Sequence, residues 1–310
     1  MKDRLITLFG GGGFIGRYVA QDLLNRGARV RIVQRNPRAA YFIRPLGGLG
    51  QTQFIAADLT KPASIARAVA GSDGVVNLVG AFDGNLQAVH VDGPRHIAQA
   101  AREAGASVVH LSAIGADPAS TSRYGRTKGE GERAVHEAAA HATILRPSTV
   151  FGREDQFLNR FAGMIASLPV VPVLRGSARF QPVFVGDVAA AVVAALAAPK
   201  AHAGKTYELG GPDVLTMLEL NRWLAAAIGR NARFVALPDA VGSAMASLGF
   251  LPGAPITKDQ WLMLQRDAVV SEGAAGLAAL GVAPTPMDSV APAWLVRFRR
   301  HGRFTKSANA

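Results

Sequence analysis

Leu5-Ile6-Thr7-Leu8-Phe9-Gly10-Gly11-Gly12-Gly13-Phe14-Ile15-Gly16-Arg17-Tyr18 decides the fold. An apolar run of strand character ends in four glycines, and apolar residues then recur at helical spacing. Gly10, Gly13 and Gly16 stand in G-x-x-G-x-x-G order. Glycine lets the backbone turn through φ > 0 and lets a ligand approach the main chain. A helix that starts there aims its unpaired N–H groups and its positive dipole end into the turn. Strand, glycine turn and helix in succession suit a pyrophosphate. Gly10, Gly13 and Gly16 are its expected contacts, with Phe14, Ile15 and Arg17 beside them.

Outward from this turn, strands and helices alternate. Ile15, Val19, Leu23 and Leu24 form a helical stripe ending at Gly27, and Ala28-Arg29-Val30-Arg31-Ile32-Val33 reads as a second strand. Gln34-Arg35-Asn36-Pro37-Arg38 closes it. An acidic residue here would take a ribose 2′-OH; its absence beside an arginine favours a 2′-phosphate and hence NADPH or NADP+. Arg35 is the foremost candidate, with Arg17 and Arg38 as helpers; the alternative is plain solvated arginines. Gln53-Phe54-Ile55-Ala56 is a third strand, followed by Asp58 and Leu59, which either meet an adenine or cap the helix after Pro62. A fourth strand over residues 74–80 runs into a small turn at Val79 and Gly80, over which a ribose can pass.

A helix is expected over residues 89–104, then a fifth strand, Ser107-Val108-Val109-His110-Leu111, with Ser112 at its carboxyl end. Tyr124 and Lys128 follow on the next helix, four residues apart and so on one face. A lysine ammonium near a phenol favours the phenolate. The pair can then exchange a proton with a carbonyl while the lysine holds the ribose. A pair that holds cofactor without chemistry is the competing reading. Ala142-Thr143-Ile144-Leu145-Arg146-Pro147 is a sixth strand. The alternation predicts an α/β fold with a doubly wound parallel sheet and ligands at the strands' carboxyl ends. The Rossmann domain is expected over residues 1–150 with 181–210 returning to it, and a smaller, mostly helical cap over 151–310.

The 310 residues lack cysteine, which excludes disulfides, thiolate metal sites and a cysteine nucleophile. Thirty-four basic residues against 22 acidic ones give a net charge of +12. That balance invites phosphates, anionic lipid or an acidic partner. Nucleic acid is disfavoured, because the arginines are dispersed, aromatics are few and no reader motif occurs. No metal site is expected. A strand beginning by Leu5 leaves no room for a signal peptide, and no apolar run reaches the roughly 20 residues of a membrane span. Residues 188–198 read as a buried helix. The stretch over residues 293–304 interleaves aromatics with arginines and suits a lipid interface or an acidic partner. Leu248-Gly249-Phe250-Leu251-Pro252 is a second possible contact.

The glycine turn, Tyr124-x-x-x-Lys128, Leu145-Arg146-Pro147 and Val185-Gly186-Asp187-Val188 resemble the extended and atypical short-chain dehydrogenase/reductase superfamily. Three pieces resemble one branch of it, the nucleotide-binding accessory subunit of respiratory complex I (NADH:ubiquinone oxidoreductase) and its bacterial relatives. They are the segment from Ser122 to Lys128 with Glu132, the run Arg146-Pro147-Ser148-Thr149-Val150-Phe151-Gly152-Arg153-Glu154-Asp155-Gln156-Phe157-Leu158-Asn159, and Gln181-Pro182-Val183-Phe184-Val185. The resemblance implies tightly held NADPH without clear turnover, and peripheral attachment to other complex I subunits. With no transit peptide expected ahead of Leu5 in a relative of a mitochondrial subunit, the expected location is a bacterial cytoplasm, on the inner face of the membrane. The resemblance assigns Gly10, Gly13 and Gly16 to the pyrophosphate, Arg17 and Arg35 to the 2′-phosphate, Asp58 and Leu59 to the adenine, and Lys128 to the nicotinamide ribose. Val79, Gly80, Ser112 and Pro147 complete the expected cofactor contacts, and Tyr124 takes the superfamily's catalytic position with Lys128 and Ser112. Active members carry two adjacent hydroxyls after the fifth strand, where this chain has Ser112-Ala113, and commonly an Asn where it has His90-Val91-Asp92-Gly93-Pro94. Both departures favour binding over hydride transfer. The alternatives are a free NADP(H)-dependent reductase, epimerase or dehydratase, and a module sensing the NADPH/NADP+ ratio.

Overall fold

The computed structural model describes residues 1–251, 256–300 and 302. In chain order its elements are β1 (Leu5–Phe9), α1 (Phe14–Asn25), β2 (Arg29–Gln34), β3 (Thr52–Ala56), α2 (Pro62–Val69), β4 (Gly74–Asn77), α3 (Gly93–Glu103), β5 (Ser107–Leu111), α4 (Arg123–Ala138) and β6 (Thr143–Pro147). They continue with β7 (Val150–Phe151), α5 (Phe157–Ser167), β8 (Val170–Leu174), β9 (Arg179–Phe180), β10 (Val183–Phe184), α6 (Val185–Ala197), α7 (Pro199–His202), β11 (Thr206–Leu209), β12 (Leu215–Thr216), α8 (Met217–Ala227) and β13 (Arg233–Leu237). Four short helices, α9 to α12, follow at Asp239–Ser247, Lys258–Leu264, Met287–Val290 and Pro292–Leu295.

Two compact units divide the chain. The first holds residues 1–147, 185–209 and 271–283. Its seven strands form a parallel sheet in the order β11-β6-β5-β4-β1-β2-β3. The chain builds outward from β1 to β3, then returns to start again at β4. Strand order therefore reverses between β1 and β4, where an open α/β sheet offers its crevice. Ile6, Leu8, Val30, Ile32, Val75 and Val76 are buried along successive strand positions, as expected of a parallel sheet covered on both faces. One face packs Phe9, Val33, Val75, Val108 and Ile144 against Ile65, Ile97 and Val135 of α2, α3 and α4. Residues 271–283, expected with the cap, belong to this unit. Glu208 of β11 donates its N–H to the Ala275 carbonyl at 2.9 Å, and its Oε2 accepts from Ser271 N at 2.8 Å.

The second unit holds residues 148–184, the described residues of 210–270 and those after 283. Phe151, Leu158, Ile165, Leu220, Leu224 and Trp294 form its core. It is more mixed than the mostly helical cap expected. Three strand pairs, β7–β10 and β8–β13 parallel and β9–β12 antiparallel, accompany the helices. The Asp155 carboxylate, buried before α5, accepts from Gly152 N at 3.1 Å and Leu158 N at 2.6 Å. Asn159 Nδ2 ties back to the Asp155 carbonyl at 2.6 Å. The family-like run around Phe151–Asn159 thus builds a helix entry in this unit. In the 293–304 stretch, residues 301, 303 and 304 lie outside the described residues, as does Pro252. Among the described residues no helix is long and apolar enough to cross a membrane.

Candidate functional site

The glycine turn leaves β1 at Gly10, whose φ of +78° is the left-handed conformation that glycine takes without strain. A Cβ on Gly10 would stand 3.3 Å from the backbone of Leu78 and Val79, so this turn lies directly against the end of β4. A Cβ on Gly16 would come within 2.5 Å of the Gly10 carbonyl and 2.6 Å of Gly11 Cα. Gly16 therefore serves close helix–turn packing. Gly13 is exposed and enters α1 in extended conformation, bringing no side-chain cap to the helix. The donors of the first turn, at Phe14 and Ile15, thus face a position with no side chain of its own over it.

At the far side of the turn, β2 ends at Gln34 with no acidic residue, followed by exposed Arg35 and Arg38. A Cβ on Gly12 would press on the Gln34 side chain and on Ala40 Cβ at 2.8 Å, so the 3₁₀ segment Pro37–Leu46 is seated on the glycine turn. The guanidinium of Arg17, in the first turns of α1, lies 4.6 Å from the Phe42 ring centroid. Asp58 Oδ1 accepts from Thr60 N at 2.9 Å and Thr60 Oγ1 at 2.8 Å. Those bonds lower its pKa, with smaller help from Lys61 and Arg35. Its carboxylate closes a local turn on Thr60 and does not cap α2, whose N-cap position, Lys61, has no side-chain bond. Leu59 packs against Gly93, where a Cβ would stand 2.8 Å from Leu59 Cβ.

The ends of β4 and β5 carry a polar cluster. β4 stops at Asn77, three residues short of expectation, because Asn77 Oδ1 takes the Val79 N–H at 3.1 Å. Asn77 Nδ2 and His110 Nδ1 lie 3.0 Å apart across paired register positions. The helix expected from residue 89 begins instead with a π-helical turn, Ala88–Asp92, a feature frequent at functional sites. There His90 Nε2 accepts from Ala81 N at 3.1 Å and Nδ1 meets Thr127 Oγ1 at 2.9 Å. Burial and the Lys128 charge hold the His90 pKa down to about 4. Gly131 of α4 admits the His90 carbonyl, which any Cβ would strike.

Tyr124 stacks on Phe82 at 4.9 Å and meets the His90 ring edge-on at 5.3 Å. Buried Lys128 Nζ donates to the Leu111 carbonyl at 2.9 Å, and burial lowers its pKa to about 8 against the opposing pull of Glu132. The expected phenolate is not found. Burial pushes the Tyr124 phenol up to about 12, and the lysine charge spends itself on a carbonyl. Ser112 Oγ is buried without a hydrogen-bond partner, as is His110 Nε2. Gly80 leaves room here, its would-be Cβ lying 4.0 Å from both His90 Nε2 and Lys128 Nζ.

The unit thus brings Gly80, His90, Tyr124 and Lys128 together. Exposed Arg35 stands beside Asp58, and buried Pro147 ends β6 with its carbonyl bound to Ile114 N at 3.0 Å. Sequence reasoning missed Asn77, His110 and Phe82, and it read His90 as a departure without assigning a partner. The signal was present in Val75-Val76-Asn77 and Val108-Val109-His110, two apolar strands that each carry a polar residue near the carboxyl end at matching register. Among the described residues no group of three His, Asp or Glu is arranged to hold a metal.

The residues fit a dinucleotide. The cradle around Gly10–Gly16 closes if side chains are added, and Ser112 Oγ, a buried polar atom without a partner, stands at the carboxyl end of β5. The model of the NAD dependent epimerase/dehydratase family matches residues 6–210. The chain is 35% identical to NADH dehydrogenase [ubiquinone] 1 alpha subcomplex subunit 9, mitochondrial, of Arabidopsis thaliana, over 96% of this chain and 78% of that protein. The Mus musculus subunit of the same name is 37% identical over 91% and 77%. The ceramide reductase of Caulobacter vibrioides is 30% identical over 76% and 74%. In fold, the chain superposes on an NADPH-dependent quinone oxidoreductase of Escherichia coli with a TM-score of 0.74, at 21% identity, over 92% of this chain and 98% of that one.

Proposed function

Because the chain belongs to the NAD dependent epimerase/dehydratase family, the atypical branch of the short-chain dehydrogenases/reductases, we propose that it is an NADPH-holding accessory subunit of a respiratory NADH:ubiquinone oxidoreductase that does not turn its cofactor over. The observation that carries this reading is the likeness to alpha subcomplex subunit 9 along 96% of the chain. The site supports it: one hydroxyl, Ser112, follows β5 where a catalytic pair would need two, and Phe82 lies stacked on the Tyr124 ring.

In this reading the N–H groups at the start of α1 bind the pyrophosphate through the opening at Gly13. Arg17 and Arg35 take the 2′-phosphate, which β2 favours by ending without a carboxylate. Lys128 and Ser112 hold the nicotinamide ribose. The bound dinucleotide supplies hydride chemistry; the chain's own residues orient it. Asn77 and His90 fix the turn at Val79–Ala81 beneath it. The chain lies peripherally on the cytoplasmic face of a bacterial inner membrane; of the expected 293–304 contact, Trp294 and Leu295 are spent in the core, which leaves exposed Arg297 and Arg300 to face anionic lipid or an acidic neighbour.

A second reading is a free reductase, favoured by the survival of Ser112, Tyr124 and Lys128 together and by the ceramide reductase relative. NADPH oxidation by the isolated full chain, across aldehydes, ketones, quinones and 3-keto lipids, separates the two. The first reading expects no oxidation above the cofactor's own decay. Turnover that Tyr124→Phe abolishes would replace it with the second.

A further inference from the structure

In the second unit, the end of α8 gathers arginines that its own packing does not use. Two hollows, of about 570 and 400 Å³, open there and share Arg230 and Asn231 in their walls. Both volumes fall in the range of small-ligand clefts. Arg222 and Arg233 line the first as well, and Arg300 lines the second. The chain bends so as to bring them together. Arg230 follows the helix and returns its N–H to the Ala225 carbonyl at 2.9 Å. β13 starts at Arg233, whose N–H meets the Pro169 carbonyl at 2.9 Å and seats the strand beside β8. Arg299 donates to the Ala227 carbonyl from Nε at 3.3 Å and Nη2 at 3.1 Å, which sets Arg300 at the same rim.

A cation at a helix C-terminus is ordinarily explained by the last carbonyls. That accounts for Arg299 alone. Among the described residues Arg222, Arg230, Arg233 and Arg300 enter no ion pair and no side-chain hydrogen bond. Glu219, near Arg222, is taken up by Thr216 N and Oγ1 at 2.8 and 2.7 Å. Arg230 Nε is buried with no acceptor. A buried donor in that state costs free energy, and gathered like charges repel. An anion relieves both, and guanidinium groups suit phosphate oxygens by geometry as well as charge. A free anion would need only the charges. Here the rim is also apolar: Leu168 and Val170, 43% and 48% exposed, flank Pro169 where β8 begins, and Val170 is paired with Arg233. Exposed aliphatic side chains beside arginines match a bilayer interface, where acyl chains meet headgroup phosphates.

We propose that these hollows seat the headgroup phosphates of anionic phospholipids, with Arg222, Arg230, Arg233 and Arg300 as donors and Leu168 and Val170 entering the acyl boundary. The inference rests on the peripheral membrane placement proposed above and chooses lipid over an acidic protein for this face. It does not depend on the cofactor.

Co-sedimentation of the full chain with vesicles of phosphatidylcholine alone, or of equal parts phosphatidylcholine and phosphatidylglycerol, tests it. The variants are Arg230→Gln/Arg233→Gln, Arg222→Gln/Arg233→Gln, Leu168→Ser/Val170→Ser and a charge-matched control, Arg67→Gln/Arg133→Gln, at exposed positions of the first unit. Thermal melting reports the fold of each. The pair Arg222 and Arg233, both exposed, keeps the test decisive if loss of Arg230 unfolds the chain. Wild type is expected to bind the mixed vesicles and not phosphatidylcholine. Each arginine removed at the hollows is expected to weaken that binding about fivefold, and the control pair much less. The rim variant is expected to weaken it too. Equal losses in control and site variants would reduce the site to the net charge of the chain and overturn the inference. A rim variant as tight as wild type would also overturn it, reassigning the hollows to a free phosphate. A wild type that ignores the mixed vesicles, yet is drawn from membranes within the oxidoreductase, would overturn the lipid site and leave the subunit reading standing. Vesicle binding by a chain never found in that assembly would do the reverse.

Discussion

His90 is buried and neutral, and this gives the protein a pH dependence with a definite sign. In the unfolded chain a histidine protonates near pH 6.5, whereas His90 in the fold waits until about 4. Between those values the unfolded state binds more protons, so stability is full above 6.5 and falls as pH drops toward 4. The loss reaches ~3 kcal/mol from this residue alone. His110, buried and lowered in the same direction, adds to it. Urea unfolding between pH 7.5 and 5 should show a falling midpoint, and His90→Gln should flatten that fall. A midpoint independent of pH over this interval would contradict the assignment. At Gly16 the expectation is steric. Gly16→Ala forces a Cβ against the Gly10 carbonyl, so both the melting temperature and dinucleotide binding should fall. Retention of both would remove the packing role given to this glycine.

The elements are held where the site needs them by charge as well as by packing. Arg146 of β6 makes a bidentate pair with Glu132 of α4, at 2.9 and 2.6 Å, and reaches Glu208 of β11 at 3.4 Å. This triad ties the helix carrying Tyr124 and Lys128 to two strands. Arg146→Ala leaves two buried carboxylates facing each other, and a loss of about 3 kcal/mol is expected in chemical denaturation. Arg146→Met paired with Glu132→Gln should recover part of it. In the second unit, Asp155→Ala removes the acceptor for Gly152 and Leu158 N–H and should lower stability by about 1–2 kcal/mol without touching cofactor affinity. Most of this element order was legible in the sequence. Apolar runs and glycines marked β1, β2, β3, β5 and β6 within a residue or two, because burial on both faces leaves little else for such runs to be. The β4 end was misjudged because Asn77 diverts the next N–H to its side chain. The start of α3 was misjudged because a π-helical turn at His90 has no periodic signature. The fate of Tyr124 was not legible at all: sequence spacing predicts its face but not that Lys128 would bond a carbonyl.

At the scale of the whole chain, the net charge of +12 and the lack of cysteine describe a basic protein suited to anionic surroundings. In the proposed function that surface meets other subunits of an NADH:ubiquinone oxidoreductase, and the single hydroxyl after β5 suits holding the cofactor over turning it over. Attachment driven by charge should weaken with salt, so release of the chain from isolated membranes is expected to rise steeply between low and high ionic strength. Release indifferent to salt would point instead to an apolar contact. The central claim is that this chain keeps NADPH while attached to an NADH:ubiquinone oxidoreductase. Its most direct test is native mass spectrometry of the tagged chain drawn gently from the membranes of its own source. The expected result is the chain in the oxidoreductase assembly with one NADPH per copy, released on denaturation; the chain free of that assembly, or within it without dinucleotide, would contradict the account.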